Sequence, residues 1–269
     1  MRPVATPASR PSATPVALSV AGSDSGAGAG IQADLLTFSA IGVFGTTAIT
    51  CLTAQNPDNV TAVHPAPAEV VAAQIEAVFG YFPVRAVKTG MLFNPAIIAA
   101  VSDALGEHRR VPLVVDPVMV STSGSVLLES ASVDALCTRI FPMARLITPN
   151  LDESAVLLGR RPDTRSELID AAAFLSDRFH TGVLLKGGHL HGQRLTDVLA
   201  QPGGKIRAFD GSRIAGVDTH GSGCTLSAAI TANLALGCSL EASVASARRY
   251  LRRGMSHPLK VAGRRFIAH

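Results

Sequence analysis

The sequence predicts an α/β fold with a mostly parallel central sheet covered by helices on both faces. Three observations predict it. Strand-like and helical patterns alternate along most of the 269 residues. The strand-like runs are continuously apolar and do not alternate, which is how a strand buried on both faces reads. Polar residues gather where those runs end, and open parallel sheets hold ligands beyond the carboxyl ends of their strands.

Residues 1–15 are rich in Pro, Ala, Ser and Thr and contain no apolar h-region. They are expected to be a flexible extension and not a secretory signal. A single domain is expected over 16–256, followed by a basic tail over 257–269. Val16–Ala21 reads as the first strand. It ends in Gly22-Ser23-Asp24-Ser25-Gly26-Ala27-Gly28-Ala29-Gly30 and enters a helix whose apolar face is Ile31, Leu35 and Phe38. Further strands are expected at Val43–Leu52, Val84–Lys88, Pro112–Asp116, Arg145–Thr148 and Gly182–Lys186. Helices are expected near Ala68–Phe79, Pro95–Leu105, Ser132–Ile140, Leu151–Leu158 and Ser166–Phe179. The Gly-rich segment from Gly192 to Ile214 reads as hairpin strands. Two helices, Cys224–Leu236 and Leu240–Met255, close the pattern.

Composition narrows the function. The chain is 47% hydrophobic without Trp, and no run of about 18 uncharged apolar residues appears, so no membrane-spanning helix is expected. The net charge of +4 is local. After Glu241 come seven basic residues and no acidic one, and the rest holds 17 basic against 20 acidic residues. A mildly acidic body makes a poor nucleic-acid platform. The Arg248/Arg252 and Arg249/Arg253 pairs read as a solvated face near a helix C-terminus. Cys51, Cys137, Cys224 and Cys238 are widely spaced and read as reduced thiols of a cytoplasmic protein, three of them small core residues.

The stretch richest in chemistry is Asp218-Thr219-His220-Gly221-Ser222-Gly223-Cys224-Thr225. Two glycines allow close backbone approach to a ligand. The helix that follows presents free N–H groups and a positive dipole end, which suits an anion. Cys224 sits in that field, where a thiol is expected to have a depressed pKa and to act as a base.

Other strand ends supply partners. Asp34 falls on the inward side of its helix, as a substrate acceptor or as a complement to the helix dipole. Gln55 offers a donor and an acceptor together, which suits an aminopyrimidine edge, although a polar loop residue needs no such role. Met91 could pack on a flat ring or fill a gap. Asp116 ends the most apolar strand and suits a metal-bound water. Asn150 and Glu153 suit hydrated Mg²⁺ on a nucleotide phosphate, or an N-cap with its capping box, or both. Lys186, beside two glycines, suits a phosphate chain. His189 and His191 read as a surface loop, not a zinc site. No Walker A loop, dinucleotide fingerprint, catalytic triad or zinc-protease motif is present.

Several of these stretches together resemble one family. Ala21 to Leu35, Ala48-Ile49-Thr50 through Ala54-Gln55-Asn56, Lys88 to Leu92, Asp116 to Met119, Thr148 to Leu151, Lys186 to His189 and Thr219 to Ser227 look like the motifs of hydroxymethylpyrimidine/phosphomethylpyrimidine kinases, in the same order. These enzymes are the thiamine-pathway branch of the ribokinase-like superfamily. The resemblance implies a three-layer α/β/α domain that binds ATP and Mg²⁺. It implies phosphorylation of 4-amino-5-hydroxymethyl-2-methylpyrimidine and then of the monophosphate, with a homodimer common in the family.

By position, Gly22, Asp34, Gln55, Met91 and Val118 would line the pyrimidine pocket. Asp116, Asn150 and Glu153 would organise Mg²⁺ and phosphates, with Asp116 and Glu153 acting through water, and Lys186 would neutralise charge. Gly221, Ser222 and Gly223 would form the anion hole and Cys224 would be the base. Ala27 stands where the family usually has Gly, Ser222 where it usually has Thr, and the segment after Gly254 departs from the pattern. A pyridoxal kinase is the nearest alternative, since its substrate also carries a hydroxymethyl group. A non-catalytic pyrimidine binder would not need Cys224, Lys186, Asn150 and Glu153 together.

Overall fold

The computed structural model describes residues 13–119, 130–188 and 194–269. The first half of the chain forms β1 (Val16–Asp24), α1 (Gly30–Ile41), β2 (Phe44–Gln55), β3 (Val60–Pro65), α2 (Ala68–Tyr81), β4 (Val84–Thr89) and α3 (Pro95–Gly106). Next come β5 (Leu113–Val115), α4 (Ser130–Ala135), β6 (Leu146–Ile147), α5 (Leu151–Leu158), α6 (Arg165–Phe179) and β7 (Gly182–Lys186). The chain continues through β8 (Arg194–Gln201), β9 (Lys205–Ser212), α7 (Ser222–Ala235), α8 (Leu240–Ser256), β10 (Leu259–Val261) and β11 (Arg264–Phe266).

Among the described residues the main sheet has nine strands in the order β3-β2-β1-β4-β5-β6-β7-β8-β9. The six from β2 to β7 pair in parallel, and β3, β8 and β9 add antiparallel edges. The three-layer α/β/α architecture is the one the alternation predicts. On one face Val71 and Ile75 of α2, Ile97, Ile98 and Val101 of α3, and Leu168 and Leu175 of α6 join the apolar strand residues in one core. On the other, Phe38 of α1, Leu226 to Ile230 of α7 and Val244 of α8 cover the sheet. Helix ends follow local chemistry. Asn94 accepts from the Ile97 N–H at 2.9 Å ahead of Pro95, and Thr164 and Glu167 close a capping box on α6. Each such cap stabilises its helix by about 1 kcal/mol.

Five expectations need correction. The edge strand β3 is absent from the sequence reading. It pairs antiparallel with β2 and its residues are mostly exposed, so it carries no buried apolar run. The helix expected at Ser132–Ile140 is α4 followed by a π-helical turn, Leu136–Ile140.

Residues 257–269 form no free tail. β10 and β11 pair as a hairpin, Ile267 is buried, and the Ala268 N–H donates to the Gly254 carbonyl at 3.3 Å. Arg264 of that hairpin reaches Asp58, the Pro57 carbonyl and Asp218.

The expected solvated arginine face is half docked. Arg248 donates to Asp197 at 2.7 Å and to the Phe209 carbonyl at 2.9 Å, and Arg252 donates to the Ser212 carbonyl at 2.7 Å. These acceptors belong to β8 and β9, which spacing within one helix does not reveal. The described cysteines are all free, but Cys238 is exposed and not a core residue. No helix among the described residues is long and apolar enough to cross a membrane. Residues 1–12, His189 and His191 lie outside the described residues.

Candidate active site

The parallel strands end on one edge, and the polar residues singled out above sit at those ends. The loop before α7 comes to the same place. Gly221 has φ 75°, and a Cβ there would stand 1.8 Å from the Gly28 carbonyl oxygen. Only glycine fits at that contact. α7 has no side-chain cap, and among the described residues no protein acceptor meets the N–H groups of Gly223 and Cys224. Free N–H groups at a helix start favour an anion. A Cβ at Gly223 would lie 3.4 Å from Lys186 Nζ and 3.5 Å from Asp116 Oδ2, so the turn shares its space with both charged groups. Lys186 Nζ donates to Asp116 Oδ1 at 3.2 Å, and Ser227 Oγ to Asp116 Oδ2 at 3.4 Å.

Asn150 and Glu153 stand beside this cluster. Asn150 bridges in parallel register to Lys186. Its Oδ1 accepts from the Asp152 and Glu153 N–H groups at 2.8 Å each, while Glu153 Oε2 accepts from the Asn150 N–H at 2.8 Å. Glu153 Oε1 takes the Met119 N–H at 3.4 Å. The capping box is therefore real, and it fixes a buried carboxyl next to Asp116 and Lys186. Burial, with Asp116 nearby, pushes the Glu153 carboxyl up to about 7 against the pull of Lys186 and the backbone N–H groups. Burial alone would lower the Lys186 ammonium, but Asp116 and Glu153 reverse this and hold it above its ordinary value.

The acceptor side forms on the other flank. A Cβ at Gly22 would stand 2.8 Å from Cys51 Sγ and 3.9 Å from Met91 Cβ, so the Gly22 backbone lies against both. Thr50 Oγ1 holds the Met91 carbonyl at 2.6 Å. Val118 has φ 41°, a left-handed backbone that costs a β-branched residue about 1–3 kcal/mol and gathers at functional sites. Gln55 is half-buried at the end of β2, its amide between Thr53 and His220.

The family model for phosphomethylpyrimidine kinase matches residues 24–267. The chain belongs to this family. It is 48% identical over 229 residues to the hydroxymethylpyrimidine/phosphomethylpyrimidine kinase of Rhizobium meliloti strain 1021, covering 84% of this chain and 85% of that protein. The crystal structure of phosphomethylpyrimidine kinase from Clostridium difficile 630 superposes with a TM-score of 0.80 at 38% identity, covering 89% of this chain and 99% of that one. An ADP complex of Bacillus subtilis pyridoxal kinase superposes with a TM-score of 0.88 at 33% identity, covering 96% and 98%. The match through residue 267 takes in the C-terminal hairpin, which the sequence comparison had set outside the family pattern.

Within this phosphomethylpyrimidine kinase frame, two assignments change. Asp34 is no open acceptor. Its side chain is fully buried, with Ser19 Oγ at 2.5 Å and Lys88 Nζ at 2.7 and 2.8 Å from its oxygens. An inward carboxylate needed a partner, and the chain supplies one from β4. Burial pushes the Asp34 carboxyl up despite Lys88, whereas at Lys88 burial is the largest effect but Asp34, Cys224 and Asp116 together outweigh it and keep that ammonium charged.

Cys224 is no primed thiolate. Burial pushes its thiol up to about 11, Asp116 and Asp34 add to the rise, and Lys88 and the Gly30 N–H only partly offset it. The helix-end field is outweighed by lost solvation and by two carboxylates that the local sequence does not show.

Four residues escaped the sequence reading: Lys88, Asp24, His220 and Arg264. Lys88 opened a recognised motif, but the same strand carries the exposed Arg85, so local sequence does not mark Lys88 as the buried cation. His220 and Asp24 stood within recognised motifs, but their contact spans 196 positions. The buried hydroxyls of Thr89 and Thr225 have no hydrogen-bond partner among the described residues.

Proposed function

We propose that this protein transfers the γ-phosphoryl group of ATP to the hydroxymethyl oxygen of 4-amino-5-hydroxymethyl-2-methylpyrimidine, and then phosphorylates the monophosphate to the pyrophosphate, for thiamine diphosphate synthesis. The observation that carries this reading is the placement of Gly223 against Asp116 and Lys186, with Gly22, Met91 and Gln55 at the neighbouring strand ends.

In this reading the N–H groups of Gly223 and Cys224, with Lys186, meet the charge on the transferred group. The Cys224 thiolate takes the alcohol proton as the oxygen bonds to the γ-phosphorus and ADP leaves. Because the thiol rests protonated at neutral pH, it first gives that proton to solvent, and only the thiolate fraction so formed acts as the base. Lys88 and its partner Asp34 set the charge beneath the thiol. Gly22, Met91 and Val118 enclose the ring, and Gln55 bonds its polar edge.

The metal donors are few. Among the described residues no group of three His, Cys, Asp or Glu could hold an ion. Asp116 and Glu153 offer oxygen donors of the kind that suits Mg²⁺, which keeps several waters and takes its other oxygens from phosphate. Asp116, Glu153 and Asn150 would hold Mg²⁺ on the protein side, and the ion would supply neutralisation of phosphate charge.

A homodimer in the cytoplasm completes the proposal, and sedimentation of purified protein as a single species at the mass of one chain would remove the dimer. The test of function is an ATP-dependent assay with Mg²⁺ on the pyrimidine alcohol and its monophosphate separately, with pyridoxal as comparison. Turnover of both pyrimidines is expected. The likeness to a pyridoxal kinase favours that vitamin as the second reading, and equal or faster turnover of pyridoxal would replace the first.

A further inference from the structure

His220 joins three segments of the site. Its Nε2 lies 3.1 Å from Asp24 Oδ2 and 3.2 Å from the Gln55 amide, and its own N–H donates to Asp218 Oδ1 at 2.9 Å. The ring has little freedom, because a Cβ at Gly28 would stand 2.8 Å from its Cδ2. Asp24 is buried. Its Oδ1 accepts from the Gly26 N–H at 2.8 Å and its Oδ2 from the Ala29 N–H at 2.9 Å. The Asp24–His220 pair thus ties three segments together: the first Gly-rich turn leading into α1, the end of β2 and the anion turn.

The proton inventory has one consistent solution. Asp24, bonded by His220 and two backbone N–H groups, is a carboxylate that only accepts. Nε2 therefore carries the proton, since two bare acceptors at 3.1 Å would repel. A protonated Nε2 has no lone pair to accept from the amide NH₂, and its single proton, directed to Asp24 at 3.1 Å, is shared with the Gln55 amide at 3.2 Å only if the amide oxygen faces the ring. The other end of the Gln55 amide is constrained as well. Thr53 Oγ1 lies 2.9 Å from the Ser23 carbonyl and 3.2 Å from the amide. A hydroxyl has one proton, and the carbonyl takes it, so Thr53 Oγ1 accepts from Gln55. The amide oxygen must face His220 and the NH₂ must face Thr53. This turns the amide end over end from the placement that sets its nitrogen 3.2 Å from His220.

We propose that the Asp24–His220 pair fixes the direction of the Gln55 amide and thereby decides which heteroaromatic edge the acceptor pocket takes. The inference rests on the pyrimidine-kinase reading. Held this way, Gln55 keeps one N–H and one oxygen lone pair for a ligand, in a set order. An aminopyrimidine edge places an amino donor beside a ring-nitrogen acceptor and matches that order in one orientation. A 4-oxo edge, with a carbonyl beside a ring N–H, needs the amide reversed. His220 is a positioning residue, since it acts through Gln55.

The test compares kinase activity on the 4-amino pyrimidine alcohol and its 4-oxo analogue in wild-type protein, His220→Ala and His220→Gln. His220→Gln can still donate from near the Nε2 position. In His220→Ala the KM for the 4-amino substrate should rise about tenfold, the KM for ATP should stay within twofold, and the preference for amino over oxo should fall at least tenfold. His220→Gln should recover most of that preference. An unchanged preference in His220→Ala overturns the proposal. Because a variant could fail to fold, the second measurement uses wild-type protein: ¹⁵N NMR should show His220 protonated at Nε2, and a neutral ring protonated only at Nδ1 overturns it. Wild-type protein that phosphorylates neither pyrimidine but shows the Nε2 proton would sink the reading of function and leave the His220 geometry standing.

Discussion

Lys88 Nζ stands 2.7 and 2.8 Å from the two carboxylate oxygens of Asp34, and neither side chain has any exposed surface. The pair bridges β4 and α1, and both of its charges act on the Cys224 thiol. Removing one partner leaves a buried charge uncompensated, which typically costs 3–5 kcal/mol. Lys88→Met should therefore lower unfolding stability by about 3 kcal/mol or more, and Lys88→Met with Asp34→Leu should recover much of it. Denaturant titration of the three proteins decides. A loss under about 1 kcal/mol in the single variant would mean that the pair is not held as described.

Gly221→Ala should abolish useful activity. The added methyl would need to occupy space 1.8 Å from the Gly28 carbonyl, at a φ of 75° that favours glycine. The turn must shift, and misplacement by about 1 Å can cost on the order of a hundredfold in rate. Steady-state kinetics with ATP should show kcat/KM reduced at least that far. Near wild-type values would remove this turn from the phosphate site.

Cys224→Ala should lower kcat by about 10²–10⁴, the usual range for loss of a general base, with a modest effect on pyrimidine KM. Since the thiol is pushed up to about 11, the reactive thiolate is scarce at neutral pH and grows as pH rises. Wild-type kcat should climb with pH from 7 toward 9, and Cys224→Ala should lose that climb. A flat wild-type profile, or full turnover in the variant, would reduce Cys224 to a neighbour of the reaction.

Glu153 predicts a pH effect of opposite kind. Its carboxyl is pushed up to about 7 from an ordinary 4.5, so the folded protein favours the protonated form. That contribution to stability is full below about 4.5 and is lost as pH rises through about 7. Between pH 5 and pH 8 the wild type should lose roughly 2 to 3 kcal/mol relative to Glu153→Gln, whose side chain stays neutral. Ionised Glu153 is also the form that serves a cation, so the Mg²⁺ requirement should tighten over the same interval and flatten in the variant. Paired stability and Mg²⁺ titrations at pH 5, 6, 7 and 8 check both. Parallel wild-type and variant curves would refute the shifted carboxyl.

The order of elements was legible because each depends on neighbours in the chain. The helix from Gly30 carries Ile31 and Phe38 on one face, and both are buried where the periodicity put them. The capping box of Asn150 and Glu153 spans three residues, so spacing alone reveals it. Gly221, Gly223, Asp116 and Lys186 stand at strand ends or in turns in the sequence pattern, and the fold gathers them because parallel strands deliver their ends to one edge. β3 was missed because an exposed edge strand needs no buried apolar run.

The sequence by itself determined the layered fold, the family and the turn at Asp218–Thr225, through patterns of period, small residues and motif order. Only the tertiary structure decided what the charged residues do. Asp34 faces Lys88 across 54 positions, His220 faces Asp24 across 196, and Arg264 reaches back to Asp58 across 206. The direction of a pKa shift follows from burial and from which charges stand nearby in space. That is why Cys224, expected to be acidic from its place on the helix, has a thiol pushed up to about 11.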